Sequence, residues 1–317
     1  MIICYSKNIK EFNYVHIVIL NSDETILPKP DDLTSDQELI LEKNIIWLFG
    51  TRRSGTTWLG KQLLSHNTHY LHEPNITDHL DLPMNQAAEN LIRRIDARKD
   101  TENYFFSEKY KNTWSYYLGK MILNRVNAQF NDLSKKIIIK EPSSLLDASD
   151  ILSSSTPKSK IIILVRDGRD VIDSLLNARQ NLGWLVKKKE NLLPNSQRPT
   201  FIKHRSRFWT HQMKILMNTF ETKSDKNCVL IKYEDLLNNT KPILTKLYNF
   251  LNIEITDNEI DSLIKKFNFQ SIPNENKGKG QFTRSASPGD WEKNFSNGEI
   301  DVMQAIMGET LKKLGYV

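Results

Sequence analysis

Apolar residues in this chain fall into short unbroken runs separated by polar stretches of helical length. Three runs are almost pure branched aliphatics and aromatics: Ile45-Ile46-Trp47-Leu48-Phe49, Ile137-Ile138-Ile139 and Ile161-Ile162-Ile163-Leu164-Val165. A run without polar alternation suits a strand covered on both faces, as in a parallel sheet between two layers of helices. A fourth run, Cys228-Val229-Leu230-Ile231, leads into Tyr233-Glu234-Asp235-Leu236. From residue 45 onward the runs alternate with helical stretches, which predicts an α/β fold with a parallel sheet flanked by helices on both faces. Residues 1–43 differ: they hold one β-like run, Tyr14-Val15-His16-Ile17-Val18-Ile19-Leu20, and a polar connection through Pro28 and Pro30. They are expected to form an N-terminal extension packed on a catalytic domain of residues 44–317.

Two stretches are longer than a simple crossover. Residues 78–130 are rich in Asn, Arg and aromatics, among them Tyr104, Phe105, Phe106, Trp114, Tyr116 and Tyr117. Residues 183–207 carry Lys187-Lys188-Lys189 and an amphipathic helix from about Phe201. Insertions of this kind commonly build the substrate pocket above a scaffold. Taken singly, each aromatic reads better as core and the lysines as a solvated face.

The chemistry is concentrated at two turns that follow apolar runs. The first is Gly50-Thr51-Arg52-Arg53-Ser54-Gly55-Thr56-Thr57-Trp58. Its glycines have the spacing of a Walker A loop, but Thr56 stands where the lysine that reaches the β/γ-phosphates belongs. The positive charge lies inside the loop instead, on Arg52 and Arg53. Backbone amides at the following helix N-terminus still make an anion cradle. The loop therefore suits a nucleotide whose 5′ end is not a magnesium-bound triphosphate. The second turn is Arg166-Asp167-Gly168-Arg169-Asp170-Val171-Ile172-Asp173-Ser174. Asp167 is a good N-cap there, Arg166 would sit at the carboxyl end of its strand, and Ser174 about two turns into the helix. An arginine fork and a hydroxyl at that edge suit a phosphate monoester.

Together the two turns resemble the sulfotransferases that use 3′-phosphoadenosine 5′-phosphosulfate (PAPS). That family writes a 5′-phosphosulfate loop like Arg53-Ser54-Gly55-Thr56-Thr57-Trp58, and a 3′-phosphate pair like Arg166 and Ser174 at the same eight-residue interval. The late segment Gly289-Asp290-Trp291-Glu292-Lys293-Asn294-Phe295 resembles a family loop in which Arg284 would be a further 3′-phosphate ligand, with Ser285 and Ala286 replacing the usual Lys-Gly. Tyr233 resembles a tyrosine near the adenine, Phe269 a second adenine-facing aromatic, and Lys140 a strand-end lysine that reaches the transferring group. Trp58 is placed to stack on adenine. The resemblance implies a P-loop-type fold with helical insertions forming the acceptor pocket, PAPS as cofactor with no metal required, and sulfuryl transfer to an acceptor hydroxyl.

The base is where this chain departs from the cytosolic branch, which has a histidine two positions beyond the strand-end lysine; here that position is Pro142. The carbohydrate and tyrosylprotein branches use a glutamate downstream of the 5′ loop. Glu73, in Tyr70-Leu71-His72-Glu73-Pro74-Asn75, stands there, and its Glu-Pro context resembles the carbohydrate branch. The resemblance thus implies Glu73 as general base, with Glu141 as the next candidate, Arg53 and Lys140 as charge-stabilising groups, and a sugar or glycoconjugate as acceptor. His66, His69 and His72 recur every third residue with His79 beyond, but a helical metal site is not expected across Asn67-Thr68.

Composition narrows the alternatives. Two cysteines in 317 residues, Cys4 and Cys228, make neither a disulfide framework nor a zinc site, and Cys228 reads as a small core residue. No run has the length of a membrane span and the start is no signal peptide, so a cytoplasmic, bacterial-type member is expected. A net charge of +6 suits an anionic cofactor. The basic residues are scattered rather than striped, against nucleic acid as a partner. A P-loop kinase or NTPase with a drifted loop is the alternative; Thr56 and the lack of a Walker B strand ending in Asp speak against it.

Overall fold

In the computed structural model the described residues are 2–5, 16–19, 32–76, 105–130, 132–141, 148–179, 183, 192–223, 226–278, 281 and 287–317. The chain separates into two compact units, residues 1–33 and residues 34–317. The first is a two-stranded antiparallel ribbon, β1 (Ile2–Tyr5) against β2 (His16–Ile19), with Ile2 opposite Ile19 and Tyr5 opposite His16.

The second unit is built on five parallel strands in the order β4-β5-β3-β6-β7. Helix α1 (Ser35–Asn44) is opened by a reciprocal capping box between Thr34 and Gln37 and runs straight into β3 (Ile45–Phe49). The strand β4 (Thr68–His72) lies at one edge and β7 (Cys228–Lys232) at the other, with β5 (Lys136–Lys140) and β6 (Lys160–Val165) between. All of β3 is fully buried, whereas four of the five residues of β4 are half-buried and His72 is exposed. That contrast is what inner and edge positions require of a helix-covered sheet.

Helices cover both faces, as the alternation of runs predicts. On one face Ile46, Leu48, Ile138, Ile162 and Leu164 pack with helix α2 (Thr56–Gln62) and with the helices that follow β7. On the other, Trp47 stacks on Phe49 and donates its indole N–H to Thr156 at 2.8 Å. Helix α3 (Lys111–Phe130) turns one face inward through Trp114, Leu118, Ile122 and Val126, while Tyr116 and Tyr117 stay exposed; the aromatics of this stretch thus divide between core and surface. Helix α4 (Ala148–Ser155) leads to β6, and α5 (Gly168–Arg179) follows it. Helix α6 (Arg198–Thr222) starts three residues before Phe201, because Pro199 in a first turn gives up only an N–H that needs no partner there. After β7 come α7 (Tyr233–Asn238), α8 (Thr240–Leu251) and α9 (Asp257–Phe267), then α10 (Trp291–Asn294) and α11 (Asn297–Lys313). Cys228 is buried at the start of β7. Among the described residues no helix is long and apolar enough to cross a membrane. Tyr104, Pro142 and Lys187-Lys188-Lys189 lie outside the described residues.

Candidate active site

The two turns 50–58 and 166–174 open at the carboxyl edge of the two central strands, β3 and β6, which pair directly. The first wraps tightly: the Ser54 backbone N–H and hydroxyl both donate to the Thr51 carbonyl, at 3.1 and 2.7 Å, and Ser54 is fully buried. Arg53 and Gly55 adopt positive φ, 69° and 96°. A Cβ on Gly55 would come within 2.6 Å of the Tyr233 ring, so the glycine is required both by its backbone angle and by that ring. Thr56 then begins α2, half a loop away from either arginine in sequence and without the amine a Walker loop puts there.

The second turn is brought against the first. Asp167 caps α5, its carboxylate accepting the Arg169 N–H at 2.9 Å. Ser174 Oγ accepts from Arg53 Nε at 2.9 Å, and Arg166 Nη1 donates to the Arg53 carbonyl at 3.2 Å. Arg166 also lies 4.7 Å above the Tyr233 ring, which Gly55 adjoins as well. Its Nε is buried and makes no hydrogen bond. Burial pushes the Tyr233 phenol up, so that it stays neutral. Trp58 stands edge-on to Tyr233 at 6.0 Å and donates its indole N–H to the Phe267 carbonyl at 2.9 Å. Phe269 is half-buried under Lys277.

Sequence reasoning missed Asp170. It is fully buried one turn beyond Arg166, 3.9 Å from that guanidinium, and accepts the Gly289 N–H at 2.9 Å. Burial lifts its carboxyl to about 6, with the Arg166 charge pulling the other way. Asn294 reaches Asp173 at 3.1 Å and Arg169 stacks over Trp291 at 4.1 Å, so α5 carries the whole late turn 288–294. The opposite charges of Arg166 and Asp170 at i,i+4 were the available signal. Arg284, Ser285 and Ala286 lie outside the described residues.

On the other side of the loop, β4 and β5 end in register, with His72 beside Lys140 and Leu48 of β3 next in the row. Lys140 is buried and forms an ion pair with Glu73, whose backbone N–H also donates to the Lys140 carbonyl at 2.8 Å. Burial lowers the Lys140 pKa, and the Glu73 charge offsets part of that. For Glu73 burial acts upward, but the hydrogen bond and charge of Lys140, with His72 and Arg52, outweigh it and hold the carboxyl below its usual range. Arg52 is exposed, and its charge falls on this pair. The Glu73 side chain is 42% exposed whereas Glu141 is 1% exposed, so only the former is open to an incoming group. Glu73 and Asn75 both have positive φ, 50° and 54°. Such conformations cost non-glycine residues about 1–3 kcal/mol each.

The histidines are dispersed. His66 pairs with Glu259 at 3.0 Å, His69 stacks on Phe130, and His72 meets the Tyr70 hydroxyl at 3.1 Å. Among the described residues no group of three His, Cys, Asp or Glu is arranged to hold a metal ion; His79 lies outside them.

The fold and these two linked turns define a parallel α/β protein with two arginine-bearing turns joined at the carboxyl edge of its central strands. The Sulfotransferase domain family matches residues 43–315, and the chain belongs to that family. It is similar to the 3-beta-hydroxysteroid sulfotransferase of Cavia porcellus, 25% identical over 178 residues that make up 50% of this chain and 58% of that protein. It is also similar to the amine sulfotransferase of Oryctolagus cuniculus, 25% identical over 213 residues, 60% of this chain and 69% of that one. The chain thus spans a little over half the length of the first of these relatives. Among solved structures the fold matches mouse sulfotransferase SULT7A1 complexed with PAP, with a TM-score of 0.54 and 15% identity over 88% of this chain and 90% of that one. It also matches retinol dehydratase in complex with androsterone and inactive cofactor PAP, with a TM-score of 0.51 and 17% identity over 85% and 81%.

Proposed function

We propose that this protein transfers a sulfuryl group from PAPS to an acceptor hydroxyl, with a carbohydrate or glycoconjugate as acceptor. The observation that carries the reading is the Arg53 Nε to Ser174 Oγ hydrogen bond of 2.9 Å, which joins the loop suited to a 5′-phosphosulfate to the pair suited to a 3′-phosphate. Adenosine 3′,5′-bisphosphate (PAP) fits these residues: the loop offers a glycine-lined turn with two arginines, and Arg166 keeps a buried N–H without a partner. In this reading residues 52–58 hold the 5′ end, Arg166, Ser174 and Arg284 hold the 3′-phosphate, and Tyr233 and Trp58 border the adenine.

PAPS supplies the mixed phosphate–sulfate anhydride from which the sulfuryl group leaves, with PAP as leaving group. The protein's task is alignment and charge stabilisation. Arg53 and the amides of residues 54–57 meet charge on the 5′ side, and Lys140 meets it on the transferring side. Glu73 takes the acceptor's proton. A carboxylate with a lowered pKa is a weak base, so Glu73 acts through position. Arginines and a lysine neutralise the charge, so the scheme calls on no metal.

The sugar acceptor rests on the Glu73-Pro74 context; the relatives named above are a steroid and an amine sulfotransferase. The kinase alternative is not favoured, since Thr56 leaves the triphosphate without its lysine. Calorimetry with PAP, adenosine 5′-phosphate and Mg²⁺–ATP tests the reading. Tight metal-independent PAP binding, with the other two weak, is the expected result, followed by sulfuryl transfer in an acceptor panel that includes sugars, steroids and amines. Preference for Mg²⁺–ATP would overturn it.

A further inference from the structure

The turn that carries Glu73 is built in an improbable way. Glu73 precedes Pro74, and a residue before proline is driven to extended backbone by the proline ring. Here it has a φ of 50° instead, and Asn75, on the far side of the proline, has a φ of 54°. Two positive φ angles flanking a proline, immediately beyond an edge strand, do not persist unless their surroundings impose them. Two contacts do so for Glu73: its N–H is held by the Lys140 carbonyl at 2.8 Å, and its carboxylate by the Lys140 ammonium. A third comes from Asn75, whose side-chain amide donates to the Glu73 carbonyl at 2.8 Å. Asparagine is the residue other than glycine that best tolerates the left-handed region, and its short amide can bond to nearby backbone.

We propose that Asn75 is a positioning residue for the acceptor's base: its side chain and left-handed backbone close the Glu73-Pro74-Asn75 turn and so keep the Glu73 carboxylate at the end of β4, against Lys140. This rests on the reading of Glu73 as base. The side-chain hydrogen bond of Asn75 goes to the Glu73 carbonyl, so its loss is expected to act on the base and not on the nucleotide. Asp at this position would retain the tolerance of positive φ but could only accept, and would lose the bond to the Glu73 carbonyl. Gly would keep the backbone freely and lose the side chain. Ala would lose both.

The test uses the full chain with glutamate carboxyls labelled with ¹³C, Glu73 being assigned by the signal missing from Glu73→Gln. The wild-type Glu73 signal is expected to titrate below the ordinary carboxylate range. In Asn75→Ala it should move up towards that range as the carboxylate leaves Lys140, with Asn75→Gly and Asn75→Asp between. Turnover should fall about 10²-fold in Asn75→Ala, the scale of a misplaced reacting group, while PAP affinity stays within about twofold. Unchanged Glu73 titration in both Asn75→Ala and Asn75→Gly, each still binding PAP, would overturn the proposal. Loss of turnover and of PAP binding together, in both variants, would also overturn it, since that is what a merely structural role predicts. The titration is read without turnover, so a wild-type protein that binds no PAP would instead count against the sulfotransferase reading.

Discussion

The two ends of this site are fixed by different means. The proposed nucleotide end gathers at the ends of the central strands β3 and β6, with Tyr233 reaching in from beyond the edge strand β7: Arg53, Ser174, Arg166 and Tyr233 are tied to one another by two hydrogen bonds and a cation–π contact. The acceptor end sits where an edge strand stops. Glu73 is more than a third exposed, its backbone is strained, and its main partner is a single buried lysine. In the proposed reading one end is a preformed cradle for fixed negative charge. The other, in the same reading, is a base whose carboxylate and backbone N–H are both held by Lys140. The lesson is that donor recognition and proton removal can fail separately, and variants should divide accordingly.

The largest expected effect is at the acceptor end. Glu73→Gln removes the base while keeping its shape, and turnover should fall by about 10²–10⁴-fold, the usual worth of a positioned general base. PAP affinity, measured by calorimetry, should remain within a few-fold, because the arginine and serine contacts are untouched. A large loss of PAP affinity would remove Glu73 from the base role and erase the distinction between the ends.

Next in size is Arg166→Ala, which addresses the other end. A lost charge-assisted hydrogen bond is worth about 1.5–3 kcal/mol, so PAP should bind about 10–100-fold more weakly. Adenosine 5′-phosphate, which lacks the 3′-phosphate, should lose much less. Some loss is expected even there, since Arg166 also supports the Arg53 carbonyl and covers Tyr233. Equal weakening of both ligands would mean that Arg166 holds the loop and not the phosphate.

The same division explains what could be read from the sequence. The two turns of the proposed nucleotide end were legible as short contiguous motifs, each following an apolar run that suits an inner strand, which β3 and β6 are. Ile45–Phe49 forms β3 with the limits its hydrophobicity suggests. The acceptor end was only partly legible. Glu73 stood out through its neighbours Tyr70 to Asn75, but β4 itself did not, because Thr68–His72 is an edge strand with no apolar run and its histidines distract with a threefold spacing. Nothing in composition reveals a positive φ before Pro74. Nor could local pattern show that Asp170 receives the N–H of Gly289, a residue 119 positions away.

Asp170 supplies the smallest expected effect, and it sharpens the comparison because it places a buried acid at the cation-rich end. Its carboxyl is lifted to about 6 by burial, against about 3.8 without it. Between those values the folded protein holds the proton that the unfolded chain has released. The group's contribution to stability is therefore complete below about pH 4 and is lost as pH rises through about 6. Asp170→Asn removes that ionisation while leaving a side-chain oxygen to accept the Gly289 N–H. The melting temperature of the variant relative to wild type should rise between pH 4 and pH 7.5, by a few degrees, in line with a linkage of about 1–3 kcal/mol. A gap that does not change with pH would mean that Asp170 is ionised without penalty, paired with Arg166 as fully as Glu73 is with Lys140. In that case the two ends would share one device, a buried cation with a dedicated carboxylate. The expected outcome keeps them apart: Arg166 faces an acid that takes up a proton as pH falls through about 6, whereas Lys140 faces a carboxylate held below its usual range.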